Sequence, residues 1–234
     1  MKLQRIKSNV PLLKEVYSYN DITGCKSWKE VLELGANTDN QDVVEDRKNN
    51  VLTTDLATII YTSGTTGNPK GVMLSHNNLL SNVLATEPII PANEKSPVLT
   101  FLPICHVYER MLHYLYMRVG ASVYFAESMD TIGDNIREVK PEVFSAVPRL
   151  IEKVFDRIMA KGEELKGMKR TLFFWAVKLA ESYDFEGKSY WYQFQLFVAR
   201  KLIFSKWKAA LGGNVRAIAS GSAALQPRLA RIFF

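Results

Sequence analysis

Residues 61 to 71 read Tyr-Thr-Ser-Gly-Thr-Thr-Gly-Asn-Pro-Lys-Gly, and no other stretch of the chain is so dense in groups suited to one chemistry. Gly64 and Gly67 permit positive φ and a close backbone approach, so successive N–H groups can turn inward around phosphate oxygens. The hydroxyls of Thr62, Ser63, Thr65 and Thr66 add short-reach donors, and Lys70 supplies a point charge. Such a loop suits a polyphosphate. It is not the P-loop of the GxxxxGK[ST] NTPases, which places lysine directly after glycine and a metal-binding hydroxyl next. Here Lys70 follows Pro69 and precedes Gly71, and an extended segment follows where that motif has a helix. The bland alternative is a Ser/Thr/Gly surface turn, which eleven specified positions directly after a β-type run disfavour.

The elements that must hold this loop follow from hydrophobic periodicity. The β-type run begins at Asp55 as DLATIIYTS. GVMLS extends again after the loop, and HNNLLSNVLA reads as a helix with Ser75 as N-cap. Then come PVLTFLP (strand), HVYERMLHYLYMRVG (helix closed by Gly120), SVYFAE (strand), MDTIGDNIREV (helix), EVFSAV (strand) and a helix opened by Pro148. Strands alternating with helices of roughly ten to fifteen residues predict βαβ units and a mostly parallel sheet with flanking helices, the α/β class. Lys169 to Leu211 reads as a long helical region, VRAIAS as a short strand, and Gln226-Pro227 as a helix start. Residues 1–54 read as a polar, turn-rich lead-in and 55–234 as the main domain.

Composition bounds the rest. The chain has 234 residues, 30 basic against 24 acidic side chains, and a formal charge of +6, mild enough to decide nothing about partners. Two cysteines, Cys25 and Cys105, lack the CxxC spacing of zinc or dithiol chemistry, and a reducing, cytoplasmic setting fits them. No signal-peptide core is present in the N-terminal segment, and no window approaches the ~18 uncharged apolar residues of a spanning helix.

His106 lies where a strand end meets a helix start, a position at which active-site groups of open α/β sheets cluster. Glu109 and Arg110, one turn on, are expected as a structural ion pair or as functional groups, and His76 and His113 as structural. Between Thr171 and Trp207 the chain concentrates aromatic side chains beside Lys178, Lys188, Arg200, Lys201, Lys206 and Lys208. That region reads either as core packing with a basic rim or as an amphipathic surface that meets a membrane or guides an acyl chain.

The stretch YTSGTTGNPKGVMLSH resembles the phosphate-binding signature of the adenylate-forming enzymes, which include acyl-CoA synthetases, aryl-CoA ligases, luciferases and peptide-synthetase adenylation domains. FLPICHVYERM and VFSAVPRLIEKVFDRI resemble segments of the long-chain fatty acid CoA ligase branch. ASGSAAL resembles the adenine-side Ser-Gly-Gly-Ala segment, with Ser222 where a second glycine is common. The resemblance runs from about Asp55 to Phe234.

What the resemblance implies is an enzyme that joins a long-chain fatty acid to ATP, releases pyrophosphate as the acyl-adenylate forms, and passes the acyl group to coenzyme A, with magnesium as metal. Thr62, Ser63, Gly64, Thr65, Thr66, Gly67 and Lys70 would hold the β- and γ-phosphates, with Thr62 also approaching the metal. His106 would position the substrate carboxylate or the adenylate. Gly221, Ser222 and Ala223 would line the adenine and acyl-adenylate site. The family's acidic metal-binding segment, its ribose aspartate and its C-terminal domain with the adenylation lysine are expected beyond Phe234. The chain therefore reads as a truncated part of the large N-terminal domain, inactive by itself. Another carboxylate-activating enzyme (medium-chain, aryl or amino acid), or a nucleotide-binding module without catalysis, stays open. So do peripheral contact with the inner face of a membrane and homo-oligomerisation. Single-stranded nucleic acid is disfavoured, for no RNP, KH or helix-turn-helix signature is present.

Overall fold

The computed structural model describes residues 5–36, 38–63, 67–184, 188–221 and 223–234. The chain divides into two units, Met1–Leu52 and Thr53–Phe234. The first holds a short parallel pair, β1 (Tyr17–Ser18) and β2 (Lys26–Ser27), then helices α1 (Lys29–Ala36) and α2 (Gln41–Asn50). Neither helix buries a residue. Rings of Tyr19 and Trp28 meet at 5.3 Å beside the strand pair.

The second unit opens with an antiparallel hairpin, β3 (Leu56–Thr62) and β4 (Lys70–Ser75), in which Thr62 pairs with Lys70 at the loop end. Strand β4 runs directly into α3 (His76–Thr86). Ser75 caps that helix through a reciprocal box: its Oγ accepts the Asn78 N–H at 3.2 Å, and Asn78 Oδ1 accepts the Ser75 N–H at 2.9 Å. Helix α3 buries Leu79 and Val83.

The remaining elements are β5 (Pro97–Thr100), α4 (Val107–Val119), β6 (Ser122–Phe125), α5 (Ile132–Val139), β7 (Val143–Ala146), α6 (Pro148–Glu163), α7 (Gly167–Glu181), α8 (Tyr190–Ala199), a π-helical turn Arg200–Phe204, α9 (Ser205–Ala210), β8 (Ala217–Ser220) and α10 (Pro227–Phe233). The four strands form one parallel sheet in the order β6-β5-β7-β8. All four residues of β7 are buried, as a central parallel strand covered on both faces requires.

Alternate residues send the strands into two cores. Val98 and Val143 pack with Val83 of α3 and with Leu112, Leu115 and Tyr116 of α4. Leu99, Phe144 and Ala146 pack on the opposite side with Ile136 of α5, Ile151 and Phe155 of α6, Phe173 and Val177 of α7, and Leu229 and Ile232 of α10. A third cluster joins α7 to α8 through Ala176, Leu179, Tyr192, Leu196 and Ala199. The long helical stretch expected over Lys169–Leu211 is thus several pieces, restarted at Ser189, whose hydroxyl caps α8 by accepting the Tyr192 N–H at 3.3 Å.

From β5 the chain steps outward to β6, returns across β5 to β7, and continues to β8. The strand order therefore reverses between β5 and β7. In open α/β sheets this reversal leaves a crevice at the carboxyl ends of the two strands, where ligands bind.

Candidate functional site

Three segments leave the carboxyl ends of β5, β7 and β8: 101–106 after β5, Val147 after β7, and 221–226 after β8. Each carries residues singled out by the sequence. His106 is the N-cap of α4, with Nδ1 accepting the Tyr108 N–H at 3.2 Å, and the residue is exposed. In the neutral ring that bond leaves the proton on Nε2, an outward donor for an anionic oxygen.

The Tyr108 ring packs against the loop after β8. A Cβ at residue 221 would lie 2.4 Å from both Cε2 and Cζ of the Tyr108 ring. Only glycine fits there, and the absence of a side chain lets ring and backbone touch. The histidine segment and the Gly221 segment therefore meet through this contact. Ala223 is exposed beyond it, and Ser222 lies outside the described residues.

Beneath this surface is a buried polar cluster. Glu109, 1% exposed, accepts hydrogen bonds from Ser145 Oγ of β7 at 2.7 Å and from Thr100 Oγ1 of β5. His113, one turn along α4, brings Nε2 to 3.6 Å from Glu109 and 3.2 Å from Thr100 Oγ1, and its ring stacks on Phe125 of β6 at 5.4 Å. A buried carboxylate is tolerated only when so satisfied. It ties the first turn of α4, and with it His106 and Tyr108, to both central strands. Glu109 and Arg110 do not form the ion pair expected of them. Adjacent helical residues point about 100° apart, and Arg110 Nε is buried with no hydrogen-bond partner. His113 is buried and held by Thr100, Glu109 and Phe125, a setting in keeping with a packing role.

The buried face of α4 also shapes two phenols. Burial, and secondarily the Glu109 charge, pushes the Tyr108 hydroxyl above its ordinary pKa. The same two causes push Tyr116 further up, and its hydroxyl is buried without a hydrogen-bond partner.

The glycine-rich loop sits at the tip of the β3–β4 hairpin. Thr62, Ser63, Gly67 and Lys70 are exposed there, while Gly64, Thr65 and Thr66 lie outside the described residues. Gly67 has φ +86°, a left-handed backbone that a side chain would strain. No ion pair of Lys70 occurs among the described residues, so its ammonium is available to an anion. No hydrogen bond or ion pair among them links Lys70 or Thr62 to His106 or Gly221. The hairpin connects to that group through α3, which packs against α4. No group of three or more His, Cys, Asp and Glu among the described residues could hold a metal ion.

Sequence reasoning missed Thr100 and Ser145. The available signal was a hydroxyl inside each of two otherwise apolar strands, VLTF and VFSAV, and a histidine four residues after Glu109 on the same helix face.

The family described as AMP-binding enzyme matches residues 3–234. Among curated relatives, Long chain acyl-CoA synthetase 4 of Arabidopsis thaliana is 34% identical over 205 residues, 85% of this chain and 30% of that protein. Long-chain-fatty-acid–CoA ligase 1 of Cavia porcellus is 37% identical over 178 residues, 72% of this chain and 24% of that protein. The chain spans about a quarter to a third of the length of these relatives. Among solved structures, the adenylation domain of a carboxylate reductase from Mycobacterium chelonae superposes with a TM-score of 0.50 at 24% identity, covering 86% of this chain and 30% of that one. That likeness shows the shared fold.

Proposed function

The chain belongs to the AMP-binding enzyme family, and from that premise we propose that it forms part of a longer ligase that activates a long-chain fatty acid for transfer to coenzyme A. The fatty carboxylate attacks the α-phosphorus of ATP, the α–β phosphoanhydride bond breaks, and pyrophosphate leaves as the acyl-adenylate forms. The thiol sulfur of coenzyme A then attacks the acyl carbon, AMP departs with the former carboxylate oxygen, and the thiol proton passes to solvent. An ionised carboxylate is already a nucleophile, so no Ser-His-Asp triad is needed. The barrier lies in charge gathering around phosphate, which fixed donors and cations offset.

In this reading Lys70, Ser63, Gly67 and the rest of the hairpin tip, including Gly64, Thr65 and Thr66, hold the departing β- and γ-phosphates. His106 offers Nε2–H to the carboxylate or the adenylate. Gly221, Ser222 and Ala223 give the adenine a thin wall of backbone. Thr62 would be the hydroxyl that approaches magnesium; no acidic cluster that could hold a metal occurs among the described residues.

The observation that carries the reading is the Tyr108–Gly221 contact, which brings the segment after β8 against the first turn of the helix that follows β5, in a chain whose curated relatives are named long-chain acyl-CoA synthetases. ATP–pyrophosphate exchange by the full-length enzyme, run with long-chain, medium-chain, aryl and amino acids, tests it. Exchange driven best by long-chain acids is expected, and exchange driven best by another class would overturn the substrate assignment.

A further inference from the structure

Thr100 is the last residue of β5, and Glu109 lies in the first turn of α4. The Thr100 hydroxyl donates to Glu109 Oε1, so the two close the segment between them into a loop, and His106 is the residue at which that loop becomes helix. Within the loop the His106 N–H donates to the Pro103 carbonyl at 2.9 Å, and the Arg110 N–H donates to the His106 carbonyl at 3.1 Å. The second carboxylate oxygen, Glu109 Oε2, accepts from Ser145 Oγ of β7 at 2.7 Å. Thr100 has a single hydroxyl proton and spends it on Glu109, so in its 3.2 Å contact with His113 it accepts from Nε2–H. Thr100, Ser145 and His113 thus surround one buried carboxylate.

Stability alone does not account for a carboxylate in that place. Desolvating a charge is costly, and a well-packed apolar side chain of similar size is often as stable or more so. What the hydrogen-bonded carboxylate adds is direction, because each bond fixes an orientation that apolar packing leaves free. Its anchors lie on β5 and β7, the two strands between which the strand order reverses, and the turn that they hold is the one that presents His106.

We propose that Glu109 is a positioning residue for His106. Fastened to Thr100 and Ser145, it fixes the first turn of α4, and that turn fixes the His106 ring through the Tyr108 N–H on Nδ1. Nε2–H then stands oriented toward an anionic oxygen before substrate arrives. Glu109 itself touches no substrate, since it is sealed beneath the turn. The inference rests on the role that the ligase reading gives His106, whereas the ring orientation that it requires does not depend on turnover.

The test uses the full-length enzyme. Glu109→Asp keeps the charge and draws the carboxylate back by one methylene, while Glu109→Gln keeps the reach and loses the charge. Glu109→Asp should lower the maximal rate of ATP–pyrophosphate exchange by about 10-fold or more, the scale of misplacing a reacting group by about 1 Å. The KM for ATP should stay within about twofold, and Glu109→Gln should retain most of the rate. In a His106→Ala background Glu109→Asp should cost nothing further, because it acts only through that ring. Equal losses in both backgrounds would mean a merely structural residue and would overturn the proposal. Nitrogen NMR of ring-labelled histidine, with His106 identified by the signal lost in His106→Ala, is the second measurement. Parent and Glu109→Gln should show the Nε2–H tautomer at His106, and Glu109→Asp a mixture of tautomers; an unchanged tautomer in Glu109→Asp would overturn the proposal as well. If Glu109→Asp does not fold, Ser145→Ala, which removes one anchor only, takes its place in both measurements. The ring signal needs no turnover, so a parent that exchanges no pyrophosphate with any acid would overturn the ligase reading, and the tautomer would still decide the positioning.

Discussion

The ring of Tyr108 occupies the space that a Cβ of residue 221 would take, with two ring carbons 2.4 Å from that point. The loop after β8 and the first turn of α4 can approach only because residue 221 has no side chain.

Gly221→Ala should therefore destabilise the chain by about 1–3 kcal/mol, the usual cost of forcing an extra carbon into a packed contact. Tyr108→Ala removes the obstructing ring. In a double-mutant cycle measured by urea unfolding, the two changes should cost clearly less together than the sum of the single changes. Additive costs would mean that the ring and residue 221 do not touch.

Glu109→Ala should be among the most damaging single substitutions in the α/β unit. It strands Ser145 Oγ and Thr100 Oγ1 in the core at a cost of about 3 kcal/mol or more. Glu109→Gln keeps an acceptor oxygen and should lose markedly less. Thermal unfolding that ranks the two equally would contradict the hydrogen-bond assignment.

Tyr116 gives a pH dependence with a definite sign. Its phenol is pushed up from the ordinary value of 10.0 by burial and by Glu109, so above that value the unfolded chain releases a proton that the folded chain retains. The associated stabilisation is complete below about pH 10 and is lost as pH rises beyond it. Tyr116→Phe should flatten this alkaline decline. At neutral pH it should be neutral or stabilising by up to about 1 kcal/mol, because the hydroxyl it removes has no hydrogen-bond partner. Urea unfolding of both proteins from pH 7 to 11 checks both points.

Much of this arrangement is legible in the sequence because it is local. Ser75 before a helical pattern, Gly120 after one and Pro148 at the head of another each mark a helix end, and the helices begin or stop there: Ser75 and Gly120 as caps, Pro148 as a first-turn residue. The alternation of strands and helices gives the parallel sheet. What escapes is the long-range chemistry: a serine in VFSAV says that a buried hydroxyl needs a partner, not that the partner lies 36 residues earlier on another element. Glu109 beside Arg110 suggests a pair in one dimension, whereas helix geometry turns the carboxylate toward His113 and the sheet. The break between α7 and α8 is likewise obscured by aromatic residues that run on through both helices.

Lys70→Ala separates chemistry from folding at the hairpin tip. The side chain is exposed and makes no ion pair among the described residues, so melting of the variant should be unchanged. Pyrophosphate exchange by the full-length enzyme should fall by about 10²- to 10³-fold, the scale of losing one fixed cation from a phosphate transition state. Equal exchange rates would remove Lys70 from the phosphate site.

The most direct measurement is detection of the acyl-adenylate itself. Full-length enzyme mixed with ATP, magnesium and palmitate, without coenzyme A, is quenched in acid and assayed by mass spectrometry. Palmitoyl-adenylate and pyrophosphate are expected in equal amounts, with the adenylate consumed to palmitoyl-CoA and AMP once coenzyme A is added. ATP cleaved to ADP and phosphate, with no palmitoyl-adenylate at any time point, would contradict the proposed ligase chemistry.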